Sequence, residues 1–282
     1  MCLDFFKKDI GHTTDIIIPT EPVSVATPNK WSNIKPIELS RIKKYDYPEN
    51  KYFHEEHKKD KITLHHTMSG QGIGGDVNTW IQSKHNVGTA LIIERDGTPW
   101  QLFPSKYWAY HLGTGNHDLD RQSIGVEIDN WGGLVLGDGT VKKFGDKGGK
   151  SVLTVSGKYY AYYGNIVNVP IQEYPNGFRG YNYFEKYTDE QIITVGELLL
   201  FWKIRYNIPL YYNPTMFNLS QEARNGKPGV WSHTSYRTDK SDIHPQPELL
   251  EMLQTICTDE MPVSYSSKQK WFVFRKKSGL YV

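Results

Sequence analysis

A mixed α/β fold in a single domain is predicted by three features of this chain: strand-like runs come early, helix-like runs are interspersed among them and late, and no regular β-α-β alternation is present. The 282 residues allow one large domain or two small ones. A hydrophobic fraction of 38% with 13% aromatic residues is too polar for a membrane protein and too aromatic for a disordered one. Lys and Arg number 33 against 31 Asp and Glu, a formal charge of +2, so no global field steers the chain toward nucleic acid, and no nucleic-acid partner is expected. The two cysteines, Cys2 and Cys257, match no metal or redox spacing and exclude a disulfide framework.

The elements follow from local pattern. Residues 1–58 mix prolines with Ser, Thr and Asn and read as an irregular N-terminal arm that packs on the main domain. Residues 59–258 form that domain. KITLHH, from Lys61, is a short strand delivering His65 and His66 at its carboxyl end. Asp76 is placed to cap a short helix, VNTWIQSKH. TALIIERDGTPWQLF is two apolar runs joined by Asp96-Gly97, a hairpin signal. In SIGVEID, Ile124, Val126 and Ile128 share one face, and Ser123, Gly125, Glu127 and Asp129 share the other. Residues 131–187 are rich in Gly and Tyr and form an insert, with a hairpin expected around Ser156-Gly157. Thr188 and Gln191 make a capping box for a helix whose Ile192, Val195, Leu199, Trp202 and Tyr206 keep one face apolar until Asn207 and Pro209. Pro247 opens a last helix with Leu250, Leu253 and Ile256 inward, and residues 259–282 form a basic, aromatic tail.

No secretory signal is expected, because the first ten residues carry acids and bases and no apolar run of seven follows. No stretch of eighteen apolar residues predicts a transmembrane segment.

Three separated pieces carry chemistry: His65 at a strand end, Glu127 on a polar strand face, and His233 with Lys240 and Asp242 in a loop before a helix. Two histidines and a carboxylate supply three ligands for a borderline metal such as Zn2+ and leave a fourth position for water, the pattern of a catalytic site. The chemistry implied is hydrolysis.

ITLHHT, RDGTPWQL, AYHLGTG, SIGVEI and SHTSYRTDKSD before a proline and a helix occur in an order that resembles the type-2 N-acetylmuramoyl-L-alanine amidases, a family that includes phage lysozyme-like amidases, recycling amidases and peptidoglycan recognition proteins. The resemblance spans residues 61–256. It implies a central mixed β-sheet flanked by helices, a zinc-dependent amidase domain carrying an inserted β-hairpin region, and hydrolysis of the amide between N-acetylmuramic acid and L-alanine in peptidoglycan. Position by position, it implies His65, His233 and Asp242 as zinc ligands, Glu127 as general base and Lys240 as stabiliser of the oxyanion. His111 matches a family histidine beside the substrate, and Tyr110, Thr114 and Arg237 are expected to join it in binding.

Departures touch the groove. Ser232 replaces a glycine, Leu112 an alanine, Thr89 stands where phage-type members have a tyrosine, and Ala90 where many have a histidine. His244, two residues past Asp242, is a rival ligand. The insert's Tyr159, Tyr160, Tyr162, Tyr163, Tyr181 and Tyr183 either stack on sugar rings or pair across strands. A monomer is expected, made in the cytoplasm and acting on the cell wall after release, by phage lysis or another export, as an endolysin does; a cytoplasmic recycling enzyme and a toxin-like effector are the alternatives. The rivals are a non-catalytic peptidoglycan-binding protein and a zinc peptidase cutting within the stem peptide.

Overall fold

The computed structural model describes residues 29–70, 72–145 and 149–260; residues 1–28 of the expected N-terminal arm and nearly all of the basic tail lie outside them. The chain runs through β1 (Lys43–Lys44), β2 (Lys61–His66), helix α1 (Gly74–Gln82), β3 (Leu91–Ile93), β4 (Pro99–Gln101), helix α2 (His117–Gln122) and β5 (Ser123–Ile128). The insert adds β6 (Gly133–Leu136), β7 (Val141–Lys143), β8 (Ser151–Leu153), β9 (Tyr159–Tyr160), β10 (Ile166–Val167), β11 (Ile171–Phe178) and β12 (Tyr181–Glu185). Then come α3 (Asp189–Tyr206), α4 (Gln221–Arg224), β13 (Gly229–Ser232) and α5 (Pro247–Ile256).

The main sheet is mixed, in the order β1-β4-β3-β5-β2-β13. β13, β2, β5 and β3 run parallel, while β4 returns antiparallel to β3 through the Asp96-Gly97 turn, where Gly97 takes φ 79°. In that turn the amide of Glu94 donates to the carbonyl of Thr98. Ile62, Leu64, Ile124, Val126 and Ile128 form one face of the central pair and are fully buried with Ile192, Val195, Leu199 and Trp202 of α3. The capping box predicted at Thr188 and Gln191 is present, and Asn207 ends α3 in the left-handed region.

The opposite face of β2 and β5 carries Lys61, Thr63, His65, Ser123, Gly125 and Glu127, matched in register and buried as well. The alternation predicted for SIGVEID therefore describes chemistry and not exposure, because the segment around Trp108 to Leu112 covers the polar face. Covered polar groups must find partners. Thr63 Oγ1 and Ser123 Oγ bond to each other at 2.8 Å. Just before β2, the Lys59 ammonium donates to the carbonyls of Tyr107 (2.9 Å), Arg121 (2.7 Å) and Ser123 (3.2 Å).

Several local expectations are revised. Asp76 lies in the first turn of α1 but does not cap it; it accepts from Ser69 Oγ at 2.8 Å. In α5, Leu249, Met252, Leu253 and Ile256 are buried and Leu250 only half so, a small rotation of the expected face. No hairpin forms about Ser156-Gly157. The turn exists, with Gly157 at φ 76°, but β8 pairs with β7 while β9 pairs with β6 and β10. Turn residues fix a local reversal; strand partners are chosen by pairing at a distance. Residues 29–58 supply Trp31, Ile37, Tyr47 and Tyr52 to the core and β1 to the sheet edge.

Replacing Lys59 by Met strands three carbonyls and is expected to lower stability by about 2–4 kcal/mol, read as a lower urea midpoint at unchanged slope.

Candidate functional site

Three parallel strands bring the predicted residues to one end of the sheet. His65 and Glu127 are register partners on β2 and β5, so they leave the same face at the carboxyl ends. β13 runs parallel to β2 with Ser232 beside Leu64, and the chain then enters a short 3-10 turn whose first residue, His233, arrives next to His65. The loop from His233 turns back through Asp242, where the amide of Thr234 donates to the Asp242 carbonyl.

His65 Nδ1 and His233 Nδ1 stand 3.1 Å apart, and Asp242 Oδ2 lies 3.1 Å from the first and 3.0 Å from the second. Four ligands at zinc bond lengths of roughly 2.0–2.1 Å have neighbours about 3.3–3.4 Å apart, so these three donors stand near three vertices of a tetrahedron slightly smaller than that. Their protonation agrees. His233 Nε2 lies 3.1 Å from the carbonyl of Leu112, which only accepts, so the proton sits on Nε2 and the Nδ1 lone pair points inward. His65 Nε2 meets His111 Nδ1 at 3.0 Å, and with its proton there its Nδ1 is free in the same way. Two imidazole lone pairs and a carboxylate converging at contact distance suit a divalent cation. His65, His233 and Asp242 are all buried and are a group able to hold a metal ion.

The chain matches the sequence model of a family described as N-acetylmuramoyl-L-alanine amidase over residues 55–247. It belongs to the N-acetylmuramoyl-L-alanine amidase family. No curated protein matches it in sequence. Among solved structures it is similar to PlyL, with 18% identity, a TM-score of 0.42 and coverage of 78% of this chain and 99% of that one. It is similar also to AmpD, with 13% identity, a TM-score of 0.43 and coverage of 78% and 96%. The endolysin N-acetylmuramoyl-L-alanine amidase LysCS from Clostridium intestinale URNW is 14% identical, with a TM-score of 0.37 and coverage of 72% and 87%.

In this amidase the segment from His111 to Leu112 touches both histidines of the cluster, and Asp120 of α2 holds that segment. Asp120 Oδ1 accepts from the amides of both His111 and Leu112 at 2.9 Å. Gly125 of β5 makes the space: a Cβ there would meet the Thr89 methyl at 2.8 Å and the His111 ring at 3.0 Å. Sequence reasoning missed Asp120, which reads in NHDLDR as a charge on an exposed helix, and it had no means of finding a backbone carbonyl.

Burial sets the electrostatics. Desolvation pushes His65 down to about 4, so it stays neutral. Glu127 is 9% exposed, and among the described residues its Oε2 has no hydrogen-bond partner. Burial, then the charges of Asp242 and Asp76, push it well above the ordinary carboxylate value, against the pull of half-buried Lys240.

Other predicted residues divide. Arg237 pairs with Asp239 at 2.9 Å and leans over Gly113 beside the His111 loop. Tyr110 packs against Phe53, Trp108 and His117, and Thr114 bonds to the backbone of Asn116; among the described residues neither bonds to the cluster. His244 is not a member of the cluster. Its ring is held between Tyr174 Oη (2.8 Å) and the carbonyl of Glu185 (3.0 Å), which occupies both nitrogens.

Asp76 is buried, and desolvation, reinforced by Asp129, raises it to about 7. An acid whose folded pKa exceeds its unfolded value costs stability above the folded pKa, and the cost vanishes below the unfolded one. Asp76→Asn is therefore expected to be more stable than the parent by about 2–4 kcal/mol at pH 8 and equal to it at pH 3.5, compared by chemical denaturation.

Proposed function

We propose that this amidase uses a zinc ion held by His65, His233 and Asp242 to hydrolyse the amide joining N-acetylmuramic acid to L-alanine in peptidoglycan. The observation that carries the reading is the convergence of three buried donor atoms, all within 4.8 Å of one another, beside a buried carboxylate. When bound, zinc polarises the scissile carbonyl and brings the pKa of water to about 7.

The remaining steps belong to side chains. Glu127, the register partner of His65 at the same strand ends, takes a proton from water and returns it to the departing amine of L-alanine. Lys240 brings a positive charge to the same end of the sheet, where it stabilises the oxyanion as the carbonyl becomes tetrahedral. The Leu112 carbonyl accepts from the outer nitrogen of His233 and holds that ring in the ligating tautomer, and His111 engages the outer nitrogen of His65. His111 and Arg237 border the site and are assigned to substrate, with Tyr110 and Thr114 farther along the same segment. A lytic, endolysin-like use on the cell wall follows from the motif resemblance.

Mass spectrometry of purified peptidoglycan digested with and without chelator is the direct test. Intact stem peptides beginning at L-alanine, lost on chelation and restored by zinc, are expected; fragments cut inside the stem would assign a peptidase, and no release a binding protein. Glu127→Gln is expected to keep one zinc per chain and lose a factor of roughly 10² to 10⁴ in kcat. Asp120→Ala is expected to weaken zinc about 10- to 100-fold, whereas Asp120→Asn, whose amide oxygen still accepts both N–H groups, stays near the parent in a chelator competition.

A further inference from the structure

The loop from His233 to Asp242 carries two of the three proposed ligands, and its middle is open: Thr238 and Asp239 are exposed, Arg237 and Lys240 half-buried. Its own backbone bonds are few, chiefly Thr234 N to the Asp242 carbonyl and the amides of Tyr236 and Arg237 to the carbonyl of His233. Such a loop needs anchoring from outside to keep His233 and Asp242 aimed at His65. Its first turn is held by Leu112 and by the segment at residues 216–220, where the Met216 carbonyl accepts from Thr234 Oγ1 (3.1 Å) and Ser235 Oγ (2.7 Å) and the Ser220 amide donates to the Ser235 carbonyl; the further anchors come from the insert.

On the His233 side stands Arg179, in the turn between β11 and β12 at φ 48°. Its Nη2 donates to the carbonyls of Thr234 (3.1 Å) and Phe217 (3.3 Å), and its Nη1 to that of Thr238 (3.4 Å). A planar fork can tie several carbonyls at once; an ammonium cannot. On the Asp242 side, His244 is held through backbone and ring. Its amide donates to Tyr187 Oη at 3.2 Å, and because the Glu185 carbonyl takes the proton of Nε2, Nδ1 accepts from Tyr174 Oη. The Tyr187 hydroxyl in turn donates to Nδ1 of His66 at 2.9 Å, next in chain to His65. Gln246 closes the clamp by accepting from the amide of Tyr187 and donating to its carbonyl.

We propose that the insert is a clamp for the metal-binding loop, with Arg179 and Tyr174 as positioning residues that keep His233 and Asp242 facing His65. The proposal rests on the reading of those three residues as ligands. Four of the insert's other tyrosines pack within the insert itself. Tyr181 lies flat over Gly133, where a Cβ would come within 2.3 Å of the ring, Tyr159 and Tyr183 pack edge to face at 5.2 Å, and Tyr160 is buried with its hydroxyl on the amide of Val155.

The test uses the full chain with Tyr174→Phe, Arg179→Met and the double variant. Three properties are measured: zinc affinity by competition with a chromophoric chelator, melting of the zinc-free protein, and histidine tautomers of the zinc-free protein by long-range proton–nitrogen spectra. The double variant is expected to melt cooperatively, to bind zinc at least about 10-fold more weakly, and to lose the single Nε2–H tautomer of His233. Unchanged affinity and an unchanged tautomer overturn the proposal, whether or not melting falls. Should the double variant not fold, Tyr174→Phe, which removes one hydroxyl and keeps the ring, is judged by the same two readouts. A parent that takes up no zinc defeats the ligand reading instead, and the tautomer spectra then decide the clamp alone.

Discussion

The lone pairs of His65 Nδ1, His233 Nδ1 and Asp242 Oδ2 meet in a space where each lies about a contact distance from the other two. Acceptors crowd together in this way only when the surroundings leave them no alternative. Here the alternatives are closed by bonds on the far side of each ring: His233 is committed to the Leu112 carbonyl and His65 to His111. Parallel pairing of β13, β2 and β5 sets the separation of the two rings, and the segment at residues 111–112 contacts the far side of both and sets the protonation of His233. Much of the fold reads as support for those two conditions.

The polar face of the central strands is part of that support. Placing Lys61, Thr63, His65, Ser123 and Glu127 under a covering segment costs desolvation at every position. The chain offsets it with specific partners: Thr63 with Ser123, Lys61 with Asp60 and Gln122, and Lys59 with three carbonyls. Glu127 is the exception, with Oε2 left without a partner among the described residues. An unpartnered buried carboxylate holds its proton more readily than an exposed one, the property that acid–base exchange near neutral pH requires.

A second network joins the main sheet to the insert. Arg95, just past β3, holds Glu185 of β12 through Nε and Nη2, both at 2.8 Å, and Asp129 through Nη1 at 2.6 Å. Glu185 Oε2 accepts from the Trp131 amide and Asp129 from that of Gly72. Each of these buried charges is answered by an opposite one or by a backbone donor, so the insert docks through fixed directions and not by apolar contact alone. That docking gives Tyr174, Arg179 and Tyr187 a firm base from which to reach the loop at residues 233–244.

The sequence alone determined whatever depends on neighbours along the chain. The capping box at Thr188, the Asp96-Gly97 hairpin, the strand ending in His65 and His66 and the polar-apolar alternation of SIGVEID all rest on spacings of two to four residues, and the motif order was enough to identify the family. What it left open depends on contacts between distant segments. Whether Asp242 or His244 faces His65 was decided by Tyr174 and Glu185, some 60 to 70 positions away, which engage both nitrogens of His244. The partners of β8 and β9 were chosen by strands beyond the turn that joins them. Asp120 joined the site only because helix α2 folds back under the His111 segment, and the requirement for glycine at 125 became visible only once the His111 ring lay across it. Local pattern encodes which atoms are available; packing decides which of them meet.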